Sequence, residues 1–217
     1  LTEALGLSLP GNGSTLATTA VDLRSAGLDR LNISLDSLRP ERFEELTRRD
    51  ELPAVLAGIR AAVAAGFDPV KVNVVVVRGV NDDEIVDFAR FGRDEGVEVR
   101  FIEFMPLDAD HRWDASAVVP SAEIVAAIVD RFPAERQERA HDPAERHRYL
   151  DGRGGFGVIG SVTEPFCSSC DRVRLTADGQ LRACLFATEE TDLRALLRAG
   201  ADDDALAAAL RTTVAGK

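Results

Sequence analysis

Hydrophobic and polar residues alternate along the first 132 residues in short runs that predict a regular succession of strands and helices. The strand-like runs are short and often β-branched, and the stretches between them have helical spacing and end at glycines such as Gly27, Gly66 and Gly96. Predicted strands cover residues 5–9, 31–35, 70–77 and 97–104, and predicted helices cover 15–26, 40–46, 52–65, 82–95 and 121–130. This alternation with short loops indicates parallel β/α units, in an open sheet or a barrel.

Three of the predicted strands carry polar residues on one face. The alternating polar positions are Asn32 and Ser34, Lys71 and Asn73, and Glu98 and Arg100. Parallel strands that are covered on both sides should be apolar on both faces, so the polar face borders water or a ligand, as the lumen of a barrel does. Edge strands that face solvent are the alternative. Glu103 departs from the alternation in the last of these strands.

The composition of the chain and its apolar periodicity change after residue 132. Residues 133–148 are rich in Arg, Glu, Ala and His without an apolar period, which predicts a linker or an exposed loop. Short strands, glycine-rich turns, a cysteine cluster and a helix over residues 191–199 follow. We therefore expect two domains, residues 1–132 and residues 133–217.

The charge of the chain narrows the classes of partner. A formal net charge of −11 argues against a protein that binds the phosphate backbone of nucleic acid, although a few local arginines can still hold one anionic small molecule. No apolar run is long enough to cross a bilayer, and the first residues lack the features of a secretory signal. We expect a cytoplasmic protein without nucleic-acid or membrane partners.

All three cysteines lie within a short segment, as Cys167 and Cys170 in a CxxC and Cys184 after a predicted hairpin. An odd number of clustered cysteines favours a metal site over disulfides. A hairpin of this length would return the third thiolate to the other two. An iron–sulfur cluster held by three cysteines keeps one iron open, whereas zinc would need a fourth ligand, such as His141 or His147. Three unligated thiols remain the simplest alternative.

Arg172 and Arg174 follow the CxxC at alternating positions and are predicted to share one side of a strand. Two guanidinium groups beside a metal cluster would suit an anionic ligand such as a phosphate chain. A solvated strand face is the alternative.

Four segments resemble those of the GTP 3′,8-cyclases, the radical S-adenosylmethionine enzymes (lyases) that open molybdenum cofactor biosynthesis. They are, in chain order, AGLDRLNISLDSL, PVKVNVVVVRGVNDDE, VRFIEFMPL and SVTEPFCSSCDRVRLTADGQLRACLF. The resemblance implies conversion of GTP to (8S)-3′,8-cyclo-7,8-dihydroguanosine 5′-triphosphate. It also implies a partial (β/α) barrel of the TIM type with bound S-adenosylmethionine, and a C-terminal α+β extension whose Cys-rich hairpin carries a second [4Fe–4S] cluster.

The resemblance also assigns residues. It implies Cys167, Cys170 and Cys184 as ligands of the C-terminal [4Fe–4S] cluster, and Ser34 and Met105 as contacts of S-adenosylmethionine. The positions that match contacts of GTP are Lys71, Arg172, Val173 and Arg174.

Two departures from the family pattern set further expectations. The radical-generating CxxxCxxC and the first strands of the barrel are absent from this sequence, so we expect the N-terminal [4Fe–4S] cluster only in a longer chain and expect this chain alone to be inactive. Pro10 stands where the family has a threonine that contacts substrate. The expected partners are GTP and the next enzyme, cyclic pyranopterin monophosphate synthase, and a homodimer is compatible with the sequence. A non-catalytic iron–sulfur or zinc module that binds a nucleotide is the alternative function.

Overall fold

A computed structural model of the protein describes residues 7–107, 113–138 and 142–216. The chain divides into two compact units, Leu1–Phe166 and Cys167–Lys217. Among the described residues, no helix combines the length and the apolar character that crossing a bilayer requires.

The first unit is built on a seven-stranded, mostly parallel sheet. Its strands are β1 (Ser8–Gly11), β2 (Arg30–Ser34), β3 (Val70–Val76), β4 (Glu98–Glu103), β5 (Ala134–Arg136), β6 (Glu145–Tyr149) and β7 (Gly155–Ile159). The order across the sheet is β1-β2-β3-β4-β7-β6-β5, with β1 to β4 and β7 parallel and with β5 and β6 antiparallel. Strands β2, β3 and β4 therefore lie in the interior of the sheet.

Within the described residues, five helices cover one face of this sheet. They are α1 (Leu16–Ser25), α2 (Pro40–Thr47), α3 (Leu52–Ala64), α4 (Ile85–Glu95) and α5 (Ser121–Arg131), and two short 3₁₀ helices span Asp82–Glu84 and Ala115–Ala117. Buried residues of all five helices join the alternate apolar residues of the strands in one hydrophobic core. The strand residues in that core are Leu31, Ile33, Val70, Val72, Val74, Val76, Val99, Phe101, Tyr149, Phe156 and Val158.

Local sequence signals explain the helix boundaries. Pro40 stands in the first turn of α2, where its missing N–H costs no hydrogen bond. Gly96 ends α4 in the left-handed region, with φ of 70°, which glycine adopts without strain. Gly58 lets α3 approach the loop before α1, because a Cβ atom there would lie 2.1 Å from the carbonyl oxygen of Gly13.

The mixed α/β class and the mostly parallel sheet are confirmed, and within the described residues the sheet is open, with β1 and β5 at its edges. The strands predicted at 31–35, 70–77 and 97–104 and the five predicted helices are present with small shifts of their bounds. The strand predicted at 5–9 falls partly outside the described residues, and the structure has β1 there instead.

The linker or exposed loop expected at residues 133–148 is wrong. This segment contains β5 and most of β6, which extend the sheet that the first 132 residues begin. In β6, buried His147 and Tyr149 alternate with exposed Arg146 and Arg148. The sequence hides this strand because its inward-facing positions include the polar residues Glu145 and His147 instead of a run of apolar side chains.

The second unit contains a small antiparallel sheet and two helices. A 3₁₀ turn spans Cys167–Ser169, the strands are β8 (Arg174–Leu175), β9 (Gln180–Arg182) and β10 (Thr191–Asp192), and the helices are α6 (Leu193–Arg198) and α7 (Asp203–Ala215). The predicted hairpin is present with shorter strands, and Gly179 takes the left-handed position of its turn, with φ of 85°. The helix predicted at 191–199 begins at Leu193 because the Asp192 side chain caps it, and α7 was not predicted.

Candidate functional site

The face of the seven-stranded sheet opposite the helices is polar. The register places Lys71 and Asn73 of β3 beside Glu98 and Arg100 of β4 and beside Asn32 and Ser34 of β2. Because these three strands are interior, the polarity is not that of an exposed sheet edge, and the edge-strand alternative is excluded. Lys71 and Arg100 are each only 8% exposed, and buried charges need partners.

Three cationic side chains converge on one carboxylate on this face. The Oδ2 atom of Asp142 lies 2.5 Å from Nη2 of Arg100 and 3.1 Å from Nη2 of Arg146. The same oxygen lies 3.7 Å from Nζ of Lys71. Glu98 is the second carboxylate, 2.8 Å from Nε of Arg100 and 3.5 Å from Nη2 of Arg146. Three cations against two carboxylates leave the cluster with an excess of positive charge.

A glycine in the adjoining strand makes room for this cluster. Arg100 of β4 and Arg146 of β6 are both register partners of Gly157 in β7, which lies between them. A Cβ atom at Gly157 would lie 3.0 Å from the Cβ of Ala144 and 3.4 Å from the Cγ of Arg100. The missing side chain therefore lets the arginines approach each other across β7.

The charge of Lys71 depends on its surroundings. Burial lowers the pKa of Lys71, and the positive charge of Arg100 lowers it further, while Glu98 and Asp142 act in the opposite direction. An anion bound beside the ammonium group would raise this pKa again. Binding of an anion here is therefore coupled to the protonation of Lys71.

A buried acceptor on the same face lacks a donor. Within the described residues, the Oδ1 atom of Asn73 is buried and has no hydrogen-bond partner. In the register, Asn73 lies between Ser34 of β2 and Arg100 of β4. An unsatisfied buried acceptor costs about 1–3 kcal/mol, and a ligand N–H or O–H group would remove that cost.

Ser34 and Met105 lie toward the carboxyl ends of the strands. Ser34 is the exposed last residue of β2, and Met105 is half-buried two residues after β4. The Asp36 carboxylate accepts a hydrogen bond of 2.8 Å from the backbone N–H of Val75, which ties the ends of β2 and β3 together. Burial raises the pKa of Asp36, and this hydrogen bond opposes the rise. Because Ser34 is the register partner of Asn73, it lies on the polar face, about 7 Å farther along the strands than Lys71.

Glu103, where the strand alternation breaks, is a fully buried anchor at the carboxyl end of β4. Its Oε1 accepts a hydrogen bond of 2.7 Å from the backbone N–H of Ser121, the first residue of α5. Its Oε2 accepts hydrogen bonds of 2.7 and 2.8 Å from the backbone N–H groups of Val162 and Thr163. A carboxylate at a helix N-terminus is stabilised by the helix dipole. Glu103 therefore joins β4, α5 and the loop after β7.

The Glu103→Gln variant should lose about 2–4 kcal/mol of unfolding free energy. Whichever way the amide is turned, its NH₂ group faces a backbone N–H donor that the carboxylate accepted. Chemical denaturation of this variant and of Glu123→Gln measures the difference. Glu123 pairs with Arg78 in an exposed salt bridge beside the same helix, so its loss should cost less than about 1 kcal/mol. Equal losses in the two variants would contradict the anchor role.

The cysteines lie in the second unit, around the hairpin. Cys167 and Cys170 form a tight turn in which the N–H of Cys170 donates to the carbonyl oxygen of Cys167 at 3.3 Å. Cys184 follows β9, and its Sγ accepts a hydrogen bond of 3.5 Å from the backbone N–H of Phe186. Cys167 is exposed, the other two cysteines are half-buried, and none forms a disulfide.

The predicted arginine pair differs from its expected geometry. Only Arg174 lies in β8, where it is half-buried and is the register partner of Arg182. Arg172 and Val173 precede the strand and are exposed. A common strand face for Arg172 and Arg174 is therefore wrong, because regular pairing starts at Arg174.

Of the two histidines considered as a fourth zinc ligand, only His147 lies within the described residues. His147 is buried in the first unit, where its ring stacks on Phe156 at 4.8 Å and its Nε2 lies 3.1 Å from Oε1 of Glu145. Burial lowers the pKa of His147, and Glu145 opposes that effect. His141 lies outside the described residues.

The donor set of the hairpin fits an iron–sulfur cluster in its chemistry. All three donors are thiols at or near the surface, and an N–H group already points at one sulfur, as hydrogen bonds to cluster sulfurs do. In the part of the chain that the structure describes, no group of three or more His, Cys, Asp or Glu residues is close enough to hold a metal ion, so the expected convergence of the three thiols is not confirmed.

Comparison with known families decides the affiliation. A family model described as Molybdenum Cofactor Synthesis C matches residues 97–217, more than half of the chain. The chain belongs to this family. A second model, described as Radical SAM superfamily, matches residues 10–92. Together the two models confirm the resemblance that the sequence motifs indicate.

Individual members of the family agree with this affiliation. The chain is 51% identical over 214 residues to a GTP 3′,8-cyclase of Streptomyces coelicolor. This alignment covers 97% of this chain and 63% of the relative. It is 49% identical over 217 residues to GTP 3′,8-cyclase 2 of Mycobacterium bovis, and 48% identical over 217 residues to a GTP 3′,8-cyclase of Mycobacterium marinum. Those alignments each cover 97% of this chain and 60% of the relative, so the chain spans somewhat less than two thirds of the relatives it matches.

The sequence missed part of the charged cluster. Glu98 and Arg100 stood out by their alternation, but Asp142 and Arg146 lay in the segment taken for a linker. The alternation of Arg146 and Arg148 with His147 and Tyr149 was the available signal. The structure brings Lys71 and Ser34 onto one face of the first unit and places the cysteines and Arg172, Val173 and Arg174 in the second unit.

Proposed function

We propose that this chain is the nucleotide-binding part of a GTP 3′,8-cyclase, which converts GTP to (8S)-3′,8-cyclo-7,8-dihydroguanosine 5′-triphosphate in molybdenum cofactor biosynthesis. The single strongest support is the interior polar face of the sheet with its partly buried cations, in a chain about half identical to enzymes named GTP 3′,8-cyclase. Net positive charge on a partly buried surface favours an anionic ligand such as a triphosphate.

The architecture in this proposal is that of a partial barrel. Residues 1–132 form most of a partial (β/α) barrel of the TIM type, closed in the longer protein by further strands, and the polar face of the sheet lines its lumen. Residues 133–217 form the C-terminal extension, although β5, β6 and β7 continue the same sheet. A lumen lined by polar residues gives a charged substrate a site away from bulk water.

Cys167, Cys170 and Cys184 would hold a [4Fe–4S] cluster. With three thiolate ligands such a cluster keeps one iron open to a ligand atom of the substrate, and that Lewis-acid position is the chemistry it supplies. The N–H of Phe186 would hydrogen-bond the Cys184 sulfur and tune the cluster.

Lys71, Arg172, Val173 and Arg174 would hold GTP. The ammonium and guanidinium groups neutralise phosphate charge, and the exposed backbone around Val173 offers polar groups for the nucleotide. Ser34 and Met105 would contact S-adenosylmethionine toward the carboxyl ends of the strands. The buried Oδ1 of Asn73, which is the register partner of Ser34 and lies two residues after Lys71, would accept a hydrogen bond from either ligand.

Replacing Arg172 or Arg174 with alanine should weaken GTP binding about tenfold or more, because a charge-assisted hydrogen bond to phosphate is lost. Isothermal titration of GTP into the anaerobically reconstituted protein tests this. Arg198→Ala, at the exposed end of α6, is the matched control and should bind GTP like the wild type. Unchanged affinity in both Arg172→Ala and Arg174→Ala would return these residues to a solvated surface and contradict their assignment.

Lys71 gives the proposal a pH signature. Its charge is lost as pH rises through a pKa that lies below the ordinary 10.5, so affinity for tripolyphosphate should fall at a lower pH than an ordinary lysine would cause. Lys71→Met should bind more weakly without this fall, and Lys71→Arg should bind throughout, since arginine stays charged. Tripolyphosphate is the better probe because the guanine of GTP itself ionises at alkaline pH. A wild-type profile that matches Lys71→Met would contradict the role.

We propose a cytoplasmic enzyme whose product passes to cyclic pyranopterin monophosphate synthase, and which forms a homodimer. Size-exclusion chromatography with light scattering tests the dimer.

A further inference from the structure

The charged cluster on the polar face joins two kinds of structural element. Lys71, Arg100 and Arg146 are carried by strands β3, β4 and β6, which the sheet register fixes. Asp142, on which all three converge, comes from the connection between β5 and β6. A carboxylate on a loop can move away from its partners with a smaller loss of free energy than a residue that is hydrogen-bonded in the sheet.

The two oxygens of Asp142 have different partners. Oδ1 accepts a hydrogen bond of 3.1 Å from the backbone N–H of Ala144, which shapes the local turn. Oδ2 alone receives the cations, at 2.5 Å from Arg100, 3.1 Å from Arg146 and 3.7 Å from Lys71. One oxygen atom with three cationic neighbours has the environment that a terminal phosphate oxygen meets in an anion site.

Asp142 also decides the charge of the cluster. With it, the cluster carries three cations and two carboxylates, and without it only Glu98 opposes the cations. Glu98 accepts a hydrogen bond from Nε of Arg100, whereas Asp142 accepts one from Nη2 on the same edge of the guanidinium, so Nη2 can be freed while Glu98 stays bound. The position of Asp142 Oδ2 is therefore the one at which an incoming anion gains most.

We propose that Asp142 is an internal counter-ion that occupies the anion position of this cluster and is displaced by a phosphate group of the ligand. This inference rests on the proposed function only in taking that ligand to be a nucleotide triphosphate. Displacement requires an anion that gains more from the three cations than the carboxylate does. Asp142 thus sets the specificity of the face for multiply charged phosphate chains, and it keeps Lys71 and the arginines paired when no ligand is bound.

The test compares the affinity for tripolyphosphate of the wild-type protein with that of its Asp142→Asn variant. Asparagine keeps an acceptor for the Ala144 N–H and removes the competing charge. The variant should bind tripolyphosphate about tenfold more tightly than the wild type, and uncharged guanosine equally well. Asp151→Asn is the control, because Asp151 likewise accepts an N–H two residues on, from Arg153, and pairs with an arginine, Arg93. It should leave both affinities unchanged.

Equal or weaker tripolyphosphate binding by a folded Asp142→Asn variant would overturn the proposal. A second measurement covers a variant that does not fold. In ¹⁵N-labelled wild type, tripolyphosphate should shift both the Arg100 Nη resonances and the Ala144 amide resonance, since the Asp142 carboxylate leaves both of these partners. A shift of Arg100 alone would show that Asp142 stays in place and would also overturn it. Tighter tripolyphosphate binding by the variant together with no GTP binding by the wild type would leave this inference standing and reject the proposed function.

Discussion

The Cys184→Ser variant is expected to lose its iron almost completely, from about four irons per chain after anaerobic reconstitution to near zero. The sequence contains only three cysteines, one fewer than a [4Fe–4S] cluster usually takes, so the proposed site has no thiolate to spare. Without Cys184, only the two thiolates of the CxxC turn remain. They can ligate two irons of the cluster, whereas the proposed site needs a thiolate on each of three irons. Iron analysis and the visible absorption of the cluster measure the loss.

A control within the same turn separates ligand loss from misfolding. Ser168 is exposed between Cys167 and Cys170, and Ser168→Ala should keep its iron. Full iron content in Cys184→Ser would contradict the assignment of Cys184 as a cluster ligand. Stoichiometric zinc that resists exchange by iron would contradict the cluster itself and favour the non-catalytic zinc module.

The second large effect concerns S-adenosylmethionine. A protein of these 217 residues should not cleave it, because reductive cleavage in this family uses a cluster bound by CxxxCxxC, a motif that this sequence lacks. The three cysteines present are all assigned to the hairpin, so no second cluster can be built from its thiolates. Anaerobic incubation with GTP, S-adenosylmethionine and dithionite should give 5′-deoxyadenosine at background level.

The matching positive control is a GTP 3′,8-cyclase such as that of Streptomyces coelicolor, prepared in the same way. Its activity shows that the reductant and the substrates are competent. Multiple turnovers of 5′-deoxyadenosine by the 217-residue chain would contradict the assignment of its cysteines.

The sequence predicts those parts of the fold whose signals are local. The β-branched run from Val70 identifies β3, and its alternation with Lys71 and Asn73 predicts a polar face that the interior position of β3 now explains. The turn at Gly179 likewise predicts the hairpin between β8 and β9. Each of these signals lies within one or two adjacent elements, where periodicity and turn chemistry act.

The parts that could not be predicted depend on distant partners. Glu103 breaks an apolar face, and only the backbone N–H groups of Ser121, Val162 and Thr163 explain why a carboxylate is stable there. Asp142 lies opposite Lys71 because of the strand order, which no local pattern encodes. The motifs therefore identify only part of the site, and the strand order of the sheet brings in the remaining residues.

The central claim is that this chain holds GTP with the help of its cysteine hairpin. Isothermal titration of GTP into anaerobically reconstituted protein, with iron content determined on the same sample, tests it most directly. The account predicts saturable binding of a single GTP that weakens at least about tenfold in Cys184→Ser, since loss of the cluster removes one anchor of the nucleotide. Absence of GTP binding by protein that carries its full iron would contradict it.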